Sequence, residues 1–384
     1  MSLPPRADVV IVGAGCIGAS IAYHLAARGV APLVLEREKM AGTGSTGHCA
    51  GGVRQQFSSP VNVRLSKVSI EAFARMKEEL EYEGDLYWPV GYLFCLTDPA
   101  RFEQFERDAA MQKAQGVPVE VLTPADVARR WPVLRTDDLV GATFCPTDGL
   151  ADPHAVTAAY YAAAKKRGAR FEFECELTGI KVTDGRVTAA VTSAGEVATP
   201  VIVNAAGPHA ASIARFAGVD LPVQPVRRQI FTTQPLGWLP HDFPMVVDMG
   251  SRVYMHRESG GLLLGLADRD EPPSFNTNID FEFRDQVFLL GLERLPRLEE
   301  AEYRAGWAGL YEVTPDHNAI LGPARGLPGF LLANGFSGHG FMHAPAVGLL
   351  IADWVVDGRP SLDVSELSLE RFAKRPLPAE ANVI

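Results

Sequence analysis

The sequence predicts an α/β fold: a Rossmann-like parallel sheet joined to an α+β unit on an antiparallel sheet. Three observations predict it. An apolar run near the start, Val9-Val10-Ile11-Val12, leads directly into Gly13-Ala14-Gly15-Cys16-Ile17-Gly18. A second apolar run, Leu33-Val34-Leu35, ends at an acid, Glu36. Alternating runs at 227–233, 245–249, 253–258 and 261–266 read as antiparallel strands.

The first run is continuous and β-branched, as a strand buried on both faces should be. Residues 19–28 then read as a helix with Ile17, Ile21 and Leu25 on one face, stopped by Gly29. Strand, GxGxxG, helix, strand and acid together form the dinucleotide fingerprint. Gly13 permits the tight turn, Gly15 admits the pyrophosphate to the backbone, and Gly18 lets helix and strand pack closely. The free N–H groups at the helix start face phosphate. Glu36 accepts from ribose hydroxyls, which disfavours a 2′-phosphate. The fingerprint alone leaves FAD and NAD open.

The bulk numbers set limits. The chain has 384 residues, which points to two domains. With 36 basic and 46 acidic residues the net charge is −10, which excludes a general nucleic-acid binder. The five cysteines are scattered and form no CxxC pair, so neither a zinc site nor a disulfide framework is expected, and a cytoplasmic location fits. No apolar stretch reaches the roughly 18 residues of a membrane span. Residues 344–356, interrupted by Asp353, read as a buried helix.

Three later segments bear on the cofactor. Residues 42–56, GTGSTGHCAGGVRQQ, are too glycine-rich for a regular element and allow close approach of backbone to a flat ligand. Residues 199–208, TPVIVNAAGP, are an apolar strand ending in small residues. Ahead of it, Asp152 reads as an N-cap with Pro153 at the first helical position, followed by a small meander with a turn at Asp184-Gly185. Residues 331–346, LLANGFSGHGFMHAPA, run from a strand through a glycine turn into an apolar helix.

These segments resemble the D-amino-acid oxidase superfamily of FAD-dependent oxidoreductases. The likeness is to the branch holding sarcosine oxidases, glycine oxidase, dimethylglycine dehydrogenase and the β subunits of bacterial proline dehydrogenases. It runs from Asp8 to about Gly358. The resemblance implies a glutathione-reductase-type FAD domain from discontinuous pieces, 1–84, 145–218 and 310–372, with an inserted substrate domain, 85–144 and 219–309, and a tail, 373–384. It implies cofactor contacts at Gly13, Gly15, Gly18, Glu36, Arg37, Ser45, Thr46, His48, Gly52, Leu177, Ala206, Gly207, Gly335, Gly338, His339, Gly340 and Met342. FAD is expected to bind without a covalent bond. A link at His48 is the alternative, since that residue aligns with a flavin-carrying histidine of dimethylglycine dehydrogenase.

The implied reaction is oxidation of a small amine or amino acid, by hydride transfer from the carbon beside nitrogen to flavin N5. Arg54 stands where sarcosine oxidases hold the substrate carboxylate, a task suited to guanidinium; a structural ion pair is the competing role. Two familiar carboxylate anchors are absent, because Met342 replaces a lysine and Tyr311 an arginine. Arg227, Arg252 and Arg257 are substitutes, or the substrate lacks a carboxylate. His256 and Tyr254 share one strand face, and His256 is the preferred pocket residue. His24 is read as structural, and Cys49 as without redox chemistry. Two other functions remain open: an FAD-binding assembly or partner protein with little turnover, and the catalytic β subunit of a multi-subunit dehydrogenase.

Overall fold

The computed structural model describes residues 3–268, 270–374 and 377–382. One sheet has six strands in the order Ile320–Pro323, Phe330–Asn334, Ile202–Asn204, Val10–Val12, Leu33–Leu35, Arg170–Glu172. All neighbours pair parallel except the edge strand Ile320–Pro323, which is antiparallel. The apolar runs become strands for the reason given above: Val10, Ile11, Leu33, Val34, Ile202 and Val203 are buried, covered on both faces.

Helix Cys16–Ala27 lies between helices Pro153–Lys166 and Gly340–Asp357 and packs against both. Asp152 does cap its helix, accepting from the N–H groups of His154 and Ala155 at 2.9 and 3.0 Å, with Pro153 in the first turn. The meander is Leu177–Thr183, Arg186–Thr192 and Gly195–Ala198.

The second large sheet has eight strands in the order Tyr303–Val313, Gln224–Thr233, Gly261–Leu266, Val253–Glu258, Met245–Asp248, Tyr92–Leu96, Gly141–Cys145, Glu120–Leu122. Its pairings are antiparallel save Met245–Asp248 with Tyr92–Leu96. Its long edge strand, Tyr303–Val313, runs across residue 310, so the sheet extends past the boundary expected there. Beneath it Arg294, 1% exposed, joins Asp248 and Asp138 at 2.7 and 2.9 Å. In the expected tail, Glu380 accepts from Ser58, Ser59 and Asn62, so 377–382 is docked rather than loose. Residues 375, 376, 383 and 384 of that tail lie outside the described residues.

Candidate functional site

The glycine turn is held by backbone contact. Gly13 has φ +103°, and a Cβ there would stand 2.5 Å from the Ala205 carbonyl oxygen. A Cβ on Gly18 would stand 1.9 Å from the Gly13 oxygen, so helix and turn touch with no room for a methyl. Pairing of Val12 with Asn204 brings Ala205, Ala206 and Gly207 beside the turn. The Glu36 carboxylate lies against it, accepting from the N–H groups of Ala14 at 2.7 Å and Glu38 at 2.9 Å. Arg37 is turned outward in an ion pair with Glu38. Leu177 is buried among apolar neighbours, while nearby Cys175 donates its N–H to the Glu36 carbonyl.

The 42–56 segment covers the same helix start. Thr46 Oγ accepts the Cys16 N–H at 3.1 Å. Ser45 Oγ donates to the Leu310 carbonyl at 2.5 Å, and the His48 carbonyl accepts from Trp307 Nε1 at 3.1 Å, so the segment docks on Tyr303–Val313. His48 Nδ1 bonds the Gly44 carbonyl at 2.8 Å. Its Cβ fills the space left by Gly309. A Cβ on Gly52 would meet the Tyr92 hydroxyl at 2.9 Å.

The GFSGHG turn closes on the same strand. Gly335 and Gly338 have φ +71° and +96°, and a Cβ at either would press on Thr314 or the Tyr311 ring at 2.3 and 2.4 Å. Helix Gly340–Asp357 starts at His339 without a side-chain cap, and Met342 is buried in the core behind its first turn. His339 Nε2 is 3.3 Å from Arg54 Nη2. Burial and the Arg54 charge hold its pKa well below the usual histidine value. His343 meets Ser66 Oγ at 2.9 Å and is held at about 3, by burial and then by Arg54.

Arg54 is 1% exposed. It donates to the carbonyls of Gln56 and, at 2.6 Å, Asn382, and stacks 4.0 Å over Phe57. The ion pair weighed for it is absent among the described residues; its partners are neutral. Arg227 is paired with Glu271 at 2.9 Å, and among the described residues the Arg252 side chain reaches only the Ala267 carbonyl, at 3.5 Å.

Two cavities share Cys49 and Ala50 as a wall. The larger, about 520 Å³, is lined by Trp88, His154, His256, Arg257 and Trp307. The smaller, about 20 Å³, is lined by His48, Arg228, Tyr254 and Tyr311. The smaller has a wall, Tyr311, that also touches the GFSGHG turn at Gly338. Tyr254 therefore lies nearer that turn's chemistry, and His256, preferred from the sequence, faces the larger space. His256 Nδ1 bonds the Arg257 carbonyl at 2.9 Å, and burial lowers its pKa.

Sequence reasoning passed over Arg228 and Glu312. Arg228 pairs across the strand with Gly309, and strand alternation puts it opposite in facing to Arg227, but only the pairing says which face is the site. Glu312 lies beside the turn, with the N–H groups of Gly335 and Phe336 partly offsetting the burial that raises its pKa to about 7. Its Oε2 has no partner among the described residues.

These residues fit FAD. Both helix starts lack side-chain caps, at Gly15 and at His339. Glycines that no Cβ could replace flank both, and the unpartnered Glu312 oxygen points to a polar ligand between them. The first helix start and Glu36 would hold the adenosine diphosphate half, and the GFSGHG turn the flavin half.

Comparison with known proteins agrees. The family model "DAO: FAD dependent oxidoreductase" matches residues 8–354. Mitochondrial sarcosine dehydrogenase of Mus musculus is 33% identical over 96% of this chain, which spans 42% of that relative's length. L-Proline dehydrogenase from P. horikoshii superposes with a TM-score of 0.93 at 32% identity, covering 98% of this chain and 100% of that one. Glycine oxidase from Geobacillus kaustophilus gives a TM-score of 0.87 at 27% identity, covering 96% and 99%. Among the described residues no helix is long and apolar enough to cross a membrane, and no cluster of His, Cys, Asp and Glu could hold a metal ion. The resemblance drawn from the glycine segments is borne out: the chain belongs to the DAO family of FAD-dependent oxidoreductases.

Proposed function

We propose that the chain oxidises a small amine or amino acid at the carbon beside nitrogen, with secondary or N-methylated amines favoured. One observation carries this: the cavity beside the GFSGHG turn is walled by Tyr254, Tyr311 and Arg228, with no carboxylate among its lining residues. Bound FAD supplies the two-electron acceptor. The chain's own task is to orient the C–H bond and exclude water. Burial raises the pKa of both tyrosines, so they stay protonated and can donate to the substrate. His339 stays neutral. No charged base faces the substrate, so the amine reacts as its free lone pair.

His48 acts here as a noncovalent neighbour, its Nδ1 already engaged by Gly44. His256 bounds the adjoining space, and Arg54 holds the loop rather than the substrate. Acid precipitation should release all yellow colour from the protein; colour kept in the pellet would mean a covalent link.

The reading is tested by anaerobic addition of sarcosine, N,N-dimethylglycine, L-proline and glycine to the FAD-loaded protein. At least one should bleach the flavin, and faster as pH rises toward the amine's own pKa. Bleaching by no member of a broad amine panel would overturn the reading. Admission of air afterwards identifies whether oxygen takes the electrons.

A further inference from the structure

We propose that Glu312 is a cofactor-binding residue, its carboxylate accepting a hydroxyl of the ribityl chain that joins the flavin ring of FAD to the diphosphate. The inference rests on FAD binding and not on the amine-oxidising reading above.

Glu312 is the next-to-last residue of strand Tyr303–Val313. Its main chain is tied to the GFSGHG turn, the Glu312 carbonyl accepting the Ser337 N–H at 3.0 Å. Its half-buried carboxyl lies by the N–H groups of Gly335 and Phe336, at the start of that turn. Its charge also reaches the thiol of Cys16, the first residue of helix Cys16–Ala27. Glu312 thus stands between the two uncapped helix starts.

The acids around it are spent and Glu312 is not. Glu36 accepts from two backbone N–H groups. Asp148 accepts from Gln55 and Gln56, and Asp316 pairs with Arg371. Glu312 has neither a cation nor a side-chain donor among the described residues, and its Oε2 is buried without a partner. Burial outweighs the two N–H groups and pushes its pKa up to about 7, as befits a carboxyl short of donors. Leaving such a group unmatched is costly, so a ligand that supplies a donor is favoured.

The chemistry of FAD narrows the choice. Its diphosphate is an anion that a carboxylate repels, and belongs with the first helix start. Its adenosine ribose belongs with Glu36. The N1, C2=O, C4=O and N5 positions of the ring offer lone pairs, which a carboxylate cannot use. The ribityl chain is neutral, carries three hydroxyl donors and links the two halves that the two helix starts hold. Glu312 stands at that join. The positive ends of the two helices make a carboxylate tolerable there.

The test measures affinity of the FAD-free protein for FAD by quenching of flavin fluorescence. Wild type is compared with Glu312→Leu, which removes the acceptor, and Glu312→Gln, which keeps an oxygen without the charge. Glu312→Leu should bind FAD at least about tenfold more weakly, and Glu312→Gln should lose less. The same proteins are then given three FAD analogues, each lacking the 2′-, 3′- or 4′-hydroxyl of the ribityl chain. Against one of them the difference between wild type and Glu312→Leu should vanish, because the partner is already gone. Melting temperature of each FAD-free variant reports folding, and if Glu312→Leu does not fold, Glu312→Gln carries the same cycle. Unchanged affinity for FAD, or an equal loss against FAD and all three analogues, would overturn the proposal. A loss that vanishes only against FAD methylated at ring N3 would assign the carboxylate to the ring N–H and overturn it too. No amine enters the measurement, so the amine reading stands or falls separately.

Discussion

The dinucleotide cradle and the substrate face are built by opposite means. The cradle is backbone against backbone: the Gly13 turn touches Ala205, Gly18 touches Gly13, and the Thr46 segment lies on the first helix start. The proposed substrate face is side chains on separate strands: Arg228, Tyr254 and Tyr311 meet because the eight-stranded sheet sets their registers. Backbone contacts cannot move aside for a methyl group, whereas side-chain walls can change identity while the sheet persists. The cradle should therefore fail in structure when altered. The face should change in chemistry.

The largest effect is expected for Gly18→Ala. Its Cβ would overlap the Gly13 oxygen at 1.9 Å, and relief requires parting helix Cys16–Ala27 from the turn. A loss of more than about 4 kcal/mol is expected, with the flavin gone from whatever folds. The ratio of flavin to protein absorbance, with circular dichroism, measures both. Full flavin content in a stable Gly18→Ala protein would mean that close packing is not what shapes the cradle.

The same contrast explains what the sequence revealed. The cradle was legible because its parts are local or of distinctive composition: Gly13 to Glu36 lie within one strand-helix-strand unit, and the AAG and GFSGHG segments announce themselves by small residues. Four of the eight strands of the antiparallel sheet were legible too, from alternation; Tyr303–Val313, Tyr92–Leu96, Gly141–Cys145 and Glu120–Leu122 were not read. The site on that sheet was not legible. Arg227 and Arg228 are adjacent, and choosing the one that faces the cavity requires the pairing of Arg228 with Gly309. His256 and Tyr254 share a strand face, so alternation could not rank them; the Cys49–Ala50 wall separates their surroundings. Arg54 was located by its motif, but the carbonyl of Asn382, more than three hundred residues away, decides what it bonds.

A middle-sized effect should separate the two regions. Arg294→Met removes the cation that joins helix Phe281–Arg294 to Asp248 and to the loop at Asp138. Asp248, 3% exposed, would then be a buried charge without its partner. The loss is expected at about 3 kcal/mol by urea denaturation. Below its melting range the variant should keep a full complement of flavin, because Arg294 touches nothing in the cradle. Parallel loss of flavin and stability would show that the two regions stand or fall together.

The smallest effect concerns the join between them, where His343 packs under Arg54 and Phe57. Its folded pKa is about 3, against 6.5 when free. Above 6.5 neither folded nor unfolded chain carries the proton, and this contribution is constant. Between 6.5 and 3 only the unfolded chain takes it up, so stability falls as pH falls, by about 1.4 kcal/mol per unit. Asp148 and Glu312 act the other way. Burial raises them to about 6 and about 7, so their contribution is lost as pH rises through the same region. The wild-type profile is thus a difference of opposed slopes, and a variant isolates one of them. His343→Gln should lose about 2 kcal/mol less than wild type between pH 6.5 and 5, by urea denaturation at each pH. The Arg54 charge is the second cause of the low value. If Arg54 stays where it stacks on Phe57, Arg54→Met should raise the His343 pKa, measured by NMR titration. No rise would mean that the Arg54 charge does not sit where it stacks on Phe57.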